Sequence, residues 1–156
     1  MASKYLTLRL DELNSRAKEV GSMRHESQLG LTLREVRLII LIADETGINI
    51  NSLVENSFLE RTIVSRTVTK LCQSGLVNRV VNDKDARQTQ LFLTPEGVTT
   101  AQKAKKLSNE GVASMLATLT PHEREIFELS LEKVLAKVLA DLEAEKKKQK
   151  QSQNVC

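Results

Sequence analysis

Between Asn49 and Gly75 the sequence sets out a short helix, a tight turn and a longer helix. Asn49 is a favoured helix start, because its side chain can accept a backbone N–H that has no helical partner. The stretch "NSLVENS" carries Leu53 and Val54 as apolar contacts, and "FLE" follows as a brief turn. A second helix runs from Arg61 to about Ser74 and is ended by Gly75. That order is the layout of a helix-turn-helix. On the longer helix Val64, Val68 and Leu71 fall on one face, with Ile63 and Cys72 beside them, so this face is expected to be buried.

The opposite face carries Thr62, Ser65, Arg66, Thr69 and Gln73. Exposed helices usually carry Glu, Lys and Gln, whereas Thr and Ser are poorer helix formers, so their use here answers another demand. Small hydroxyls let a helix backbone approach a groove floor, and Arg can make a bidentate contact to guanine. From Arg61 to Asn82 there is no acidic residue, while Arg61, Arg66, Lys70 and Arg79 are basic, so phosphate meets no repulsion there. A basic run by itself is equally a solvated face. Within a helix-turn-helix it reads as DNA recognition, with Thr62, Ser65, Arg66 and Thr69 toward the major groove and Arg61 and Lys70 toward phosphates.

"LVNRVV" and "TQLFLT" are strand-like, and "NDKDARQ" between them makes a hairpin tip. A hairpin directly after a recognition helix is a wing. Lys84 and Arg87 are the candidates for phosphate or minor-groove contact at its tip. Asp83 and Asp85 shape that tip by orienting an arginine or accepting turn N–H bonds. The alternative is an ordinary polar hairpin.

The stretch "RTIVSRTVTKLCQSGLVNRVVNDKDARQTQLFLTPEG", Arg61 to Gly97, resembles the MarR family of winged helix-turn-helix regulators. The family pattern of a hydroxyl-rich recognition helix is matched by Ser65 and Arg66, and its first wing strand by Gly75, Leu76 and Val77. Its Asp-x-Arg wing is matched by Asp85 and Arg87, and its closing Leu-Thr-x-x-Gly by Leu93, Thr94 and Gly97. Upstream, "LGLTLREVRLIILI" looks like the family's second helix. Phe58 departs from the pattern, since a small residue such as Gly is more usual in the inter-helix turn.

The flanking sequence is helical. Leu6, Leu10, Leu13, Ala17 and Val20 form an apolar stripe on a long N-terminal helix that ends between Gly21 and Gly30. Thr32 and Glu35 make a capping box for a helix buried on most sides and stopped by Gly47, and "GINI" can add a short strand. Thr94 and Pro95 start another helix, with Pro at its first position. Thr120, Pro121 and Glu123 repeat the device for a last helix striped by Phe127, Leu131, Val134, Val138 and Leu142.

The expected fold is therefore mainly α with a small β-wing: a winged helix-turn-helix plus N- and C-terminal dimerisation helices. Its divisions are residues 1–30, an N-terminal dimerisation helix; 31–97, the DNA-binding region; 98–145, C-terminal dimerisation helices; and 146–156, a disordered basic tail. Two striped ends beyond a domain that has its own core are most economically buried by a second copy, and the resemblance likewise implies a homodimer. A two-fold dimer reads a pseudo-palindromic operator.

The resemblance further implies a small effector, often an aromatic acid or phenol, held between dimerisation helices and winged domain near the end of the first helix. Met23, Arg24 and His25 lie there; a surface histidine near a helix end is the plainer account of His25. The expected function is a DNA-binding transcriptional regulator, a repressor released by that effector. A sequence-tolerant architectural DNA-binding protein is the alternative from another class. A thiol-based regulator using Cys72 is a rival mechanism, although Cys72 lies beside the buried stripe. The family's peroxide-sensing branch uses a cysteine in the N-terminal helix, where this chain has none.

No nucleophile–base pair or phosphate-binding glycine loop suggests an enzyme. With His25 and His122 alone and no cysteine or carboxylate at ligand spacing around them, neither a metal nor another cofactor is expected. Aromatic residues are 3% of the chain, so the core must come from Leu, Val, Ile and Ala, which suits helices. The absence of a bilayer-length apolar run and of a charged-then-apolar leader leads to an expectation of a cytoplasmic location and no membrane partner.

Overall fold

A computed structural model describes residues 5–82 and 85–153; residues 81–82, 85–88 and 152–153 are described by their backbone alone. The elements in chain order are α1 (Leu6–Leu29), α2 (Leu33–Asp44), α3 (Ile50–Ser57), α4 (Arg61–Gln73), β1 (Val77–Asn82), β2 (Asp85–Leu93), α5 (Pro95–Leu116) and α6 (Pro121–Gln153). The fold is mainly α with a small antiparallel wing, as the sequence implies. The chain forms two compact units, Met1–Gly111 and Val112–Cys156.

The first unit is built on α2. Its Leu38, Ile39 and Ile42 meet Leu53 of α3, Val64, Val68 and Leu71 of α4, and Val77 and Leu91 of the wing strands, all essentially inaccessible to solvent. Burying each such side chain stabilises the fold by about 1.5–3 kcal/mol. This cluster fixes which face of α4 turns inward, and it is the face the helical spacing predicts.

Local hydrogen bonds set where the helices begin. At α2 the Thr32 hydroxyl accepts from the Glu35 N–H, and the Glu35 carboxylate accepts from the Thr32 N–H at 2.7 Å, a complete capping box. Asn49 Oδ1 accepts from the N–H groups of Asn51 and Ser52. Phe58 ends α3 in a left-handed conformation, φ 54°, and the residue is 89% exposed. The exposed residue makes little packing contact to offset the strain of that backbone.

Strands β1 and β2 pair in register from Val77 opposite Leu93 to Val81 opposite Thr89, with an irregularity before Asn82 meets Asp85. The "GINI" segment adds a single bridge, Asn49 to Gln90. Here Gly47 N–H donates to Leu91 O, and Leu91 N–H donates to Ile48 O.

The wing closes through Thr94. Its N–H donates to Leu76 O, its hydroxyl donates to Gly75 O at 2.7 Å, and the same hydroxyl accepts from Gly97 N–H. Gly97 lies so close to the end of α4 that a Cβ on it would stand 2.0 Å from Leu76 O.

Helix α1 continues through Gly21 to Leu29, where Gly30, φ 65°, donates its N–H to Glu26 O. Leu6, Leu10, Leu13 and Val20 on it are about half exposed. In the second unit α6 runs for 33 residues from a capping box in which Thr120 and Glu123 bond each other reciprocally. Phe127, Leu131, Val134, Val138 and Leu142 stand exposed along it. The helix persists to Gln153, which corrects the expectation of a disordered segment from residue 146 up to that point. Ala, Glu, Lys and Gln are good helix formers and nothing in "EAEKKKQKQSQ" breaks a helix, so lack of an apolar stripe does not end it.

The contact at Gly97 sets a test. Gly97→Ala forces backbone apart at the wing base and should destabilise the first unit by about 3 kcal/mol. Urea unfolding followed by circular dichroism measures this; a change within error of zero would mean the wing base yields freely.

Candidate nucleic-acid interface

Thr62, Arg66 and Thr69 of α4 are exposed and Ser65 is half-buried, on the side away from Val64, Val68 and Leu71. The side chains of Thr62, Ser65 and Arg66 have no hydrogen-bond partner among the described residues. This leaves one guanidinium and two hydroxyls available to a ligand lying along the helix. Thr69 differs: its hydroxyl donates to Ser65 O at 2.9 Å and accepts from Arg79 Nη2 at 2.8 Å.

The start of α4 is held against α3. Arg61 Nη1 donates to Asn51 Oδ1 at 2.6 Å, so this guanidinium is oriented as well as exposed. Beneath the turn, Arg37 donates to Ser57 O at 3.0 Å. The turn that carries Phe58 is therefore tied from below by a charged donor on α2.

Lys70 has a role that the sequence reading did not give it. Its ammonium lies 2.7 Å from Glu35 Oε1, and the Glu35 side chain is only 3% exposed. The carboxylate that caps α2 thus also anchors α4. Burial favours the neutral carboxyl, but hydrogen bonds from Lys70 and Thr32, with the Lys70 charge, outweigh it and hold Glu35 below the usual carboxylate range. Part of the charge expected to face phosphate is consequently neutralised within the protein.

Arg79 of β1, one cation of the basic run, returns to the α4 face through its bond to Thr69. Helical spacing cannot show that a strand residue returns to a helix face. Lys84 and Asp83 lie outside the described residues, and the side chains of Asp85 and Arg87 are likewise not described.

The MarR family profile matches residues 31–89, from the start of α2 into β2. Over its winged region, the chain is similar to the MarR family. It is 30% identical over 95 residues to the HTH-type transcriptional regulator BilQ of Clostridium symbiosum, a match covering 61% of this chain and 66% of BilQ. The match thus spans just under two thirds of that relative's length. A MarR-family regulator from Silicibacter pomeroyi superposes with a TM-score of 0.70 at 25% identity, covering 86% of this chain and 90% of that one. The MepR–DNA complex of S. aureus superposes with a TM-score of 0.76 at 19% identity, covering 88% and 98%, and shares the fold.

The MarR motif residues have local physical reasons in this chain. Gly75 takes φ 72°, and Leu76 and Val77 enter the core. Thr94 and Gly97 make the wing-base contact described above.

Of the residues considered for an effector, Met23 is exposed and Arg24 is half-buried near Gly111. His25 is buried, contrary to a surface histidine. Its Nδ1 lies 2.7 Å from Gly21 O and its Nε2 3.1 Å from Ser108 Oγ. The carbonyl can only accept, so Nδ1 carries the proton, and in the neutral ring Nε2 accepts from Ser108. Both ring nitrogens are engaged, and the side chain joins α1 to α5. Cys72 is half-buried against the core cluster.

The Glu35 anchor predicts a pH effect with a defined sign. Because the folded carboxyl is held below its unfolded value of about 4.3, its contribution is present above that pH and is lost as pH falls through the folded value. Glu35→Gln should cost on the order of 1–2 kcal/mol near neutral pH, with the gap to wild type closing in acid. Urea unfolding across that range tests it; a cost that stays constant with pH would remove the charge from the account.

Proposed function

We propose that this MarR-like chain is a sequence-specific, DNA-binding transcriptional regulator, a homodimeric repressor that reads a pseudo-palindromic operator and is released by a small effector of the aromatic-acid class. The observation that carries the reading is the outward face of α4: an acid-free helix presents Arg66 with the hydroxyls of Thr62 and Ser65, which have no partner among the described residues. Phosphates meet no repulsion there, and guanine N7 and O6 find a fork of donors. The relative MepR was crystallised with DNA, which supports the same use of the fold.

Dimerisation is supported by the exposed stripes of α1 and α6. Leucines and valines left half in water along such lengths are an unfavourable surface for a lone chain. Two copies that bury them place two reading helices about one DNA turn apart, roughly 34 Å. The effector is assigned to the end of α1, where exposed Met23 and the Arg24 guanidinium offer an apolar wall and a carboxylate partner. His25 serves there as a brace between α1 and α5. A cytoplasmic location suits this role, and no helix among the described residues is long and apolar enough to cross a membrane.

Selection of duplexes from random-sequence DNA at two salt concentrations tests the reading. Enrichment of one palindrome is expected, whereas uniform recovery with steep salt dependence would make the protein an architectural binder. Arg66→Ala should cost about 1–3 kcal/mol on the enriched duplex and relax preference at one base pair. Equal loss on random DNA would make Arg66 a phosphate contact. Val134→Glu should convert the dimer to monomer in sedimentation equilibrium; a dimer of unchanged affinity would place the interface elsewhere.

A further inference from the structure

Among the described residues, Thr69 is the one hydroxyl of the outward α4 face that is already occupied, which points to a division of labour on that face. A threonine hydroxyl has a single donor hydrogen. In Thr69 that hydrogen goes to Ser65 O, so it is not available to phosphate oxygens or to guanine N7 and O6, which only accept. What reaches Thr69 is the Arg79 guanidinium, through one of its five N–H groups.

Strand geometry brings it there. Alternate residues of a strand share a face, so Arg79 lies on the same side of β1 as Val77, which is buried against the core. Two residues further along, at the rim of the core, Arg79 is exposed, so its long side chain can turn back to α4. Its strand partner is the fully buried Leu91, itself hydrogen-bonded to Ile48 O and Gly47 N–H, so the base of Arg79 is fixed. The guanidinium therefore stands beside the helix turn that carries Ser65 and Arg66. Lys70, one turn beyond Arg66, is tied to Glu35.

We propose that Arg79 is a DNA-contacting residue of the recognition surface and that Thr69 is its positioning residue, holding the guanidinium next to Arg66 instead of touching a base. This rests on the DNA-binding reading above and extends it to a strand residue. A charged fork fixed at its base and braced at one N–H loses less freedom on meeting phosphate or guanine than a free arginine.

The test uses the full chain, a mixed-sequence duplex and any duplex enriched by the wild type, with affinity measured as a function of salt. Arg79→Ala should weaken binding on the order of tenfold and reduce the slope of log affinity against log salt by about 0.9. Arg79→Gln keeps a donor without the charge and should lower the slope equally, which guards against a folding defect in the first variant. Thr69→Val should weaken binding while keeping the slope, Thr69→Ser should restore it, and Thr69→Val should add nothing in the Arg79→Ala background.

A full additional loss from Thr69→Val in that background would show that Thr69 touches DNA itself and overturn the assignment. Unchanged affinity and slope in Arg79→Ala, with Arg66→Ala still impaired, would overturn it while leaving the DNA-binding reading intact. Failure of the wild-type chain to bind any duplex would remove both.

Discussion

The contact at Leu76 governs how α4 and the wing are assembled. Its carbonyl accepts from Thr94 N–H and leaves no room for a side chain on Gly97. The Thr94 hydroxyl bonds at once to Gly75 O and Gly97 N–H. The end of α4, the base of the wing and the start of α5 thus meet within one small cluster of backbone groups. Because backbone cannot change rotamer to relieve a clash, this junction fixes the wing relative to the helix it follows. That in turn makes a bond such as Arg79 to Thr69 geometrically possible.

The charges near α4 then fall into distinct roles. Glu35 is buried, caps α2 and holds Lys70, so one cation of the basic run works as an internal tie. Arg61 is oriented by Asn51, and Arg37 supports the turn from below. Arg66 has no partner among the described residues. Counting basic residues along the sequence overstates the charge presented to a ligand, because low-dielectric surroundings recruit some of it to pair buried carboxylates.

Each unit also carries a helix with exposed apolar side chains. Exposed leucines and valines recur along α1 and α6. At the other end of α1, His25 is buried and bridges to Ser108 of α5. The N-terminal helix is thus firmly attached at its C-terminal end, while its first turns carry exposed leucines.

Helix starts at Thr32, Asn49, Pro95 and Thr120 were determined by the sequence itself, because capping bonds join residues two or three apart and depend on side-chain type alone. The buried face of α4 was equally legible, since Val64, Val68 and Leu71 can share a side only in one way once the helix exists. The helix beyond residue 146 was missed because absence of an apolar stripe was taken for absence of helix, whereas propensity alone sustains it. Tertiary structure decided the pairings of Lys70 with Glu35, Arg79 with Thr69 and His25 with Ser108. Each joins residues from different elements, so each exists only after the apolar core has fixed how those elements lie. A linear pattern encodes faces and ends, and only packing determines which polar groups on those faces are already satisfied.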